Sequence, residues 1–215
     1  MSQIVREPIN GFTHLAGAIL SFVGLLALVI KAATGQTSTI TLTAVIIFGL
    51  SMILLYSASA TYHMVVARDA IIAFLRRLDH SMIFVLIAGT YAPFCLITLD
   101  GFIGAILFSI ILSLAIAGVV FKMVWFECPR WLSTGLYIAM GWMIVFAAPT
   151  LSENLATPGL WLLIIGGFLY TIGGVIYGFK PGFLKTKYMG FHEIFHIFIL
   201  LGSLAHFLSV YNYVL

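Results

Sequence analysis

The stretch FHEIFHIFILLGSLAHFLSVYNY, residues 191–213, decides what kind of fold this chain can have. It exceeds the roughly 20 residues that a helix needs to cross a bilayer. Its only formally charged side chain is Glu193. Within it, His192 and His196 lie four residues apart, one turn from each other on one helical face. Both imidazoles could bind one cation, and zinc is the metal expected of such a pair. Polar side chains at membrane depth are costly and usually functional. The rest of the chain is therefore read for groups that converge on these two histidines.

Six further stretches resemble residues 191–213 in length and apolarity. They lie near residues 11–32, 41–65, 79–98, 102–122, 133–149 and 158–178, the fifth being the shortest. The whole chain of 215 residues is 62% hydrophobic and 8% charged, where soluble domains carry about a quarter charged residues. An all-α, polytopic membrane protein is expected, a seven-transmembrane helix bundle formed as one domain over residues 1–215. The connections are short, and no linker or repeat interrupts them. No cleavable signal peptide is expected, because the first ten residues are polar and no small-residue cleavage site follows. A net charge of +3 is no nucleic-acid signature. Cys95 and Cys128 form no CxxC pair and read as unpaired thiols.

Seven spans put the termini on opposite faces. One face collects Arg6, Arg68, Arg76, Arg77, Lys122, Arg130, Lys180, Lys185 and Lys187, and the other only Lys31. Basic residues concentrate on the cytoplasmic side. The N-terminus is expected inside and the C-terminus outside. Gly166-Gly167 and Gly173-Gly174 are expected to let span six pack closely against a neighbour. Pro93 should kink span three. Most of Trp125, Trp131, Trp142, Trp161, Tyr188, Tyr211 and Tyr213 fall near span ends, as an interfacial belt would.

This orientation brings polar residues to one level. His63 ends span two, with Ser59 one turn deeper on the same face. Asp79 enters span three at that level, and His192 and His196 open span seven there. Asn10 and His14 of span one lie at a similar depth. His63, His192 and His196 with one open position describe a catalytic-type zinc site. Zinc acidifies a bound water, Asp79 is the candidate to accept its proton, and Ser59 is the candidate to hydrogen-bond nearby. His206 lies ten residues beyond His196, about 15 Å along a helix, too far to join the same ion. Glu193, His14 and His80 stay without an assigned role. The spacing His-Glu-x-x-His also fits a metalloprotease helix with Glu193 as base.

The motifs Ser59-x-x-x-His63, Leu78-Asp79, Gly89-Thr90-Tyr91-Ala92-Pro93-Phe94 and His192-x-x-x-His196, in this order, resemble those of the hemolysin III family. That family is the bacterial branch of the adiponectin and progestin receptor superfamily, related to the alkaline ceramidases. The resemblance covers essentially the whole chain. It implies seven spans with the N-terminus inside, zinc on His63, His192 and His196, and Asp79 and Ser59 beside the zinc-bound water. It also implies a bacterial inner (plasma) membrane location, multi-pass, with a membrane lipid as substrate or ligand. The relatives' link to lipid-amide hydrolysis makes a zinc-dependent lipid (amide) hydrolase acting within the bilayer the first functional expectation. The alternatives are a non-enzymatic sensor or homeostasis protein with structural zinc, and a cytolytic, pore-forming protein. No charged stripe suited to line a pore is visible in the spans.

Overall fold

The computed structural model describes residues 4–35, 38–184, 186 and 189–215. Gln36 of the first connection, Lys185 and Lys187 of the basic face, and Tyr188 of the aromatic belt lie outside the described residues. Everything described is helix or connection, with no strand among the described residues. The helices are α1 (Pro8–Thr34), α2 (Thr39–Met64), α3 (Asp69–Pro93), α4 (Phe102–Val124), α5 (Arg130–Trp142), α6 (Ala148–Asn154), α7 (Thr157–Phe179) and α8 (Phe191–Ser209). Seven spans are long and apolar enough to cross a membrane. The third continues from α3 through Thr98, and the fifth runs from Arg130 through α6.

Their ends follow from local chemistry. Pro8 sits in the first turn of α1, where its missing N–H has no partner to lose. The Ser38 hydroxyl accepts the Thr41 N–H at 3.2 Å and caps α2. Gly101 precedes α4 at φ 78°, a conformation that favours glycine. Span three begins ten residues earlier than the hydropathy suggests, because Arg76 and Arg77 interrupt the apolar pattern without interrupting the helix. The outward faces are apolar: Leu20 is 67% exposed, and Phe12, Ile19, Ile116 and Val120 are exposed as well. In lipid rather than water, such faces carry no penalty.

Helices α1 to α4 pack in sequence, each on the next, while α8 lies between α1 and α7, and α5 lies against α7 and α3. Span three is the most enclosed. The span-six glycines do adjoin neighbours. A Cβ on Gly166 would meet the His206 ring at 2.6 Å, and one on Gly173 would meet Phe198 at 2.9 Å. Tyr56 of α2 donates to the Ser203 hydroxyl of α8 at 2.6 Å, and Tyr170 of α7 reaches the same hydroxyl at 2.8 Å.

Two spans depart from regular α-helix. At Pro93, α3 passes into a π-helical turn over Phe94–Thr98, so the expected kink takes the form of a change in pitch. Span five tightens into a 3₁₀ stretch at Met143–Ala147. The Tyr91 hydroxyl meets that break. It accepts the Ile144 N–H at 2.8 Å and donates to the carbonyls of Met140 and Gly141 at 2.9 and 2.8 Å. Backbone groups freed inside a membrane must find partners within the protein, and Tyr91 supplies them. Trp142 stands apart from the exposed Trp125, Trp131 and Trp161: it is half-buried and donates its indole N–H to Thr171 at 2.9 Å.

Candidate metal centre

Three histidines from two helices meet where the last turn of α2 faces the first turns of α8. The ring centroids of His63 lie 5.0 Å from those of both His192 and His196, which are 4.6 Å from each other. Each offers a ring nitrogen, and all three nitrogens fall within 4.8 Å of one another. His63 and His196 are buried, and His192 half-buried. The Nε2 atoms of His63 and His192 are 3.3 Å apart. Two nitrogens about 2.0–2.1 Å from one tetrahedral ion stand about 3.4 Å apart, so this edge has the length a metal site needs. The donor set fits a borderline-soft divalent cation: three imidazoles and no carboxylate among the ligating atoms.

The tautomer follows from a neighbour. His63 Nδ1 lies 2.7 Å from the Glu7 carboxylate. A carboxylate accepts, so Nδ1 carries the proton and Nε2 keeps its lone pair for an ion. Glu7 sits just before span one, and the bond to His63 is the main reason its carboxyl drops from an ordinary 4.5 to about 2, against the opposing effect of burial. The segment is held by backbone as well, since the Glu7 N–H donates to the His63 carbonyl at 2.9 Å.

Asn10 extends this network. Its amide donates to Glu7 at 3.2 Å and to Glu193 at 2.9 Å. The second Glu193 oxygen accepts the Gly190 N–H at 2.7 Å, which caps α8. Both Glu193 oxygens therefore hold α8 in place beside His192. A carboxylate on each side of Asn10 thus joins α1, α2 and α8.

His14 comes closer than its bare position suggests. Its ring stacks on His196, with centroids 3.6 Å apart at 12°, and both its nitrogens are buried without a hydrogen-bond partner among the described residues. Neither Glu7 nor the stacking of His14 was singled out from sequence. The available signal was the spacing Glu7-x-x-Asn10-x-x-x-His14, which lines up on one helical face.

Ser59 and Asp79 are both buried and line one cavity together with His14, His192 and His196. The Ser59 hydroxyl faces the Asp79 carboxyl. An Asp79 oxygen lies 3.6 Å from His80 Nδ1, but that nitrogen donates to the Arg76 carbonyl at 2.8 Å. His80 Nε2 accepts from the Tyr177 hydroxyl at 2.9 Å, tying α3 to α7. His206 is buried further along α8 against Gly166, away from the three histidines.

The cavity measures about 190 Å³ and is walled mainly by apolar side chains, among them Leu55, Ile83, Leu86, Ile87 and Phe94. A second hollow of about 310 Å³ lies beyond, lined by Glu7, His63, Arg76, Arg130 and Glu193. The two have His80, Tyr177 and His192 in common.

A family model described as "Haemolysin-III related" matches residues 2–207 of the chain. "Hemolysin-3" of Bacillus cereus is 42% identical over 216 aligned positions, covering 100% of this chain and 95% of that protein. The "Hemolysin-3 homolog" of Bacillus subtilis (strain 168) is 39% identical over 213, covering 99% and 96%. A more distant similarity, 22% over 174 positions, reaches the "Monocyte to macrophage differentiation factor" of Homo sapiens, covering 78% of this chain and 68% of that one.

Proposed function

Because the chain belongs to the haemolysin-III-related family of membrane proteins, we propose that it is a zinc-dependent hydrolase of an amide-linked lipid in the bacterial plasma membrane. His63, His192 and His196 hold the metal. When bound there, zinc supplies a Lewis acid that polarises a carbonyl and lowers the pKa of a water. The chain's own residues do the rest. Glu7 keeps the His63 ring in the tautomer and orientation that leave Nε2 free. Asp79 accepts the proton released as water attacks the carbonyl, and later returns it to the leaving nitrogen. Ser59 hydrogen-bonds the substrate near its carbonyl. The acyl chain lies in the 190 Å³ apolar cavity, which keeps bulk water from the reacting bond.

One observation carries this reading. A buried carboxyl and a buried hydroxyl share the wall of an apolar cavity with two of the three histidines. A purely structural metal site has no use for either. The test measures bound zinc and released fatty acid together on N-acyl lipids. Asp79→Ala should keep its metal and lose turnover by about 10²–10⁴-fold. His63→Ala should lose the metal. Wild-type protein that carries zinc yet releases no fatty acid would overturn the enzyme.

A sensor with structural zinc is the second reading, favoured by the Glu7–Asn10–Glu193 network. A metal held where α1, α2 and α8 meet would lock both ends of the chain together. In that case Asp79→Ala changes neither metal content nor any turnover. Glu193→Gln separates the protease reading, which requires a free carboxylate at a residue whose two oxygens already accept hydrogen bonds.

A further inference from the structure

Arg76 and Arg130 differ from Arg6 and Arg77, which lie close to the same end of the bundle. Arg6 donates to the Tyr62 carbonyl and lies 3.5 Å from Glu7. Arg77 donates to the Met123 carbonyl at 3.1 Å. Arg76 and Arg130 make no ion pair within 4.0 Å and no side-chain hydrogen bond among the described residues. Each instead lies over an aromatic ring. The Arg76 Cζ is 4.9 Å from the Phe126 centroid, and the Arg130 Cζ is 5.5 Å from that of Tyr177. Stacking fixes a guanidinium by its face and leaves the N–H groups around its edge unused.

Both arginines are half-buried, and both line the 310 Å³ hollow that also holds His63 and His192. The acids of that hollow are Glu7 and Glu193, and both are engaged. Glu7 accepts from His63 and Asn10, and Glu193 from Asn10 and Gly190. The two carboxylates of the hollow are thus engaged, while the edges of the two guanidinium groups are not. An anion with several acceptor oxygens is the missing complement. A phosphate, with three or four acceptor oxygens, can take a fork from each guanidinium at once.

We propose that Arg76 and Arg130 form a clamp for a phosphate group at the histidine end of the molecule. Since the hollow and the apolar cavity adjoin at His80, Tyr177 and His192, the phosphate belongs to an amphiphile. Its head lies between the arginines, its chain runs into the cavity, and its middle passes the histidines. This last step rests on the lipid-hydrolase reading and narrows the substrate to a phosphate-bearing lipid.

Calorimetry on the full chain in an uncharged detergent tests the clamp without requiring turnover. The probes are a short-chain phosphatidic acid, the matching diacylglycerol and inorganic phosphate. Wild type should bind the phosphatidic acid. The double variant R76Q/R130Q should weaken that binding about tenfold or more. Arg68→Gln, an exposed basic residue at the start of α3, should leave it unchanged. Competition by inorganic phosphate would assign recognition to the phosphate alone, and its failure to compete would assign it to the lipid-borne group. Equal binding by wild type and R76Q/R130Q, an equal loss in Arg68→Gln, or equal affinity for the diacylglycerol would each overturn the clamp. Should the double variant not fold, Arg130→Gln alone, whose guanidinium touches one ring, should still lose several-fold. Arginine-dependent binding with no fatty acid released from N-acyl lipids would sink the enzyme and keep the clamp. Hydrolysis without arginine dependence would do the reverse.

Discussion

Glu7 shows how one side chain outside a site can set what the site does. Its carboxylate decides which nitrogen of His63 is free. Glu7→Gln replaces an acceptor with an amide that can donate, which permits the opposite tautomer. Metal affinity should fall about 10–100-fold, read by competition with a chromophoric chelator. The same residue carries a pH signature. Its carboxyl is depressed from 4.5 to about 2 by the bond to His63. Its contribution to stability is therefore complete above about 4.5 and is lost as pH falls toward 2. In metal-free protein, the gap in thermal midpoint between wild type and Glu7→Gln should close across that window. A gap that stays constant down to pH 2 would show that the Glu7–His63 bond does not stabilise the fold.

At the scale of the element, the broken fifth span depends on a hydroxyl from the third. Tyr91 is buried and serves one N–H and two carbonyls where α5 gives way to the 3₁₀ stretch. Tyr91→Phe keeps the ring and strands those groups. A buried polar group left without a partner costs about 1–3 kcal/mol, so the variant should unfold earlier in a detergent melt. An unchanged midpoint would mean that water or lipid headgroups replace the hydroxyl. Span six offers a packing counterpart. Gly166→Leu would drive a side chain into the His206 ring, which stands 2.6 Å from where a Cβ would go. It should separate α7 from α8 and destabilise by a few kcal/mol, whereas Gly182→Leu, in open space, should not.

For the molecule as a whole, the proposed metal joins helices from opposite ends of the chain. Glu7 just before α1, Asn10 within it, His63 of α2 and His192 of α8 form one connected group. Ligand binding stabilises whichever state binds it. Removing the metal with a chelator should therefore lower the thermal midpoint, and stoichiometric zinc should restore it. The orientation is also open to direct measurement. Arg6, Arg68, Arg76, Arg77, Lys122, Arg130 and Lys180 lie at the ends of spans that meet on the histidine side, opposite Lys31. An N-terminal tag is expected to be protected in sealed right-side-out vesicles. Labelling of that tag without lysis would reverse the topology.

Much of this was determined by the chain alone. Apolar runs of about 20 residues in a chain with 8% charge can only be membrane helices, and one-turn spacing puts His192 and His196 on one face whatever surrounds them. Span ends were legible only where polarity and helix coincide, so Asp69–Leu78 was read as connection although it is helical. The tertiary structure alone decided which partners the polar groups found. Glu7 sits in an ordinary polar segment until α1 docks on α2 and brings it to His63. His14 becomes a stacking partner only through the packing of α1 on α8. Arg76 and Arg130 come to line one hollow only because α3 and α5 both border it. Periodicity acts within a helix, through neighbours three and four residues apart. Which helices touch, and at what depth, is set by how their surfaces fit together, and no single span encodes that.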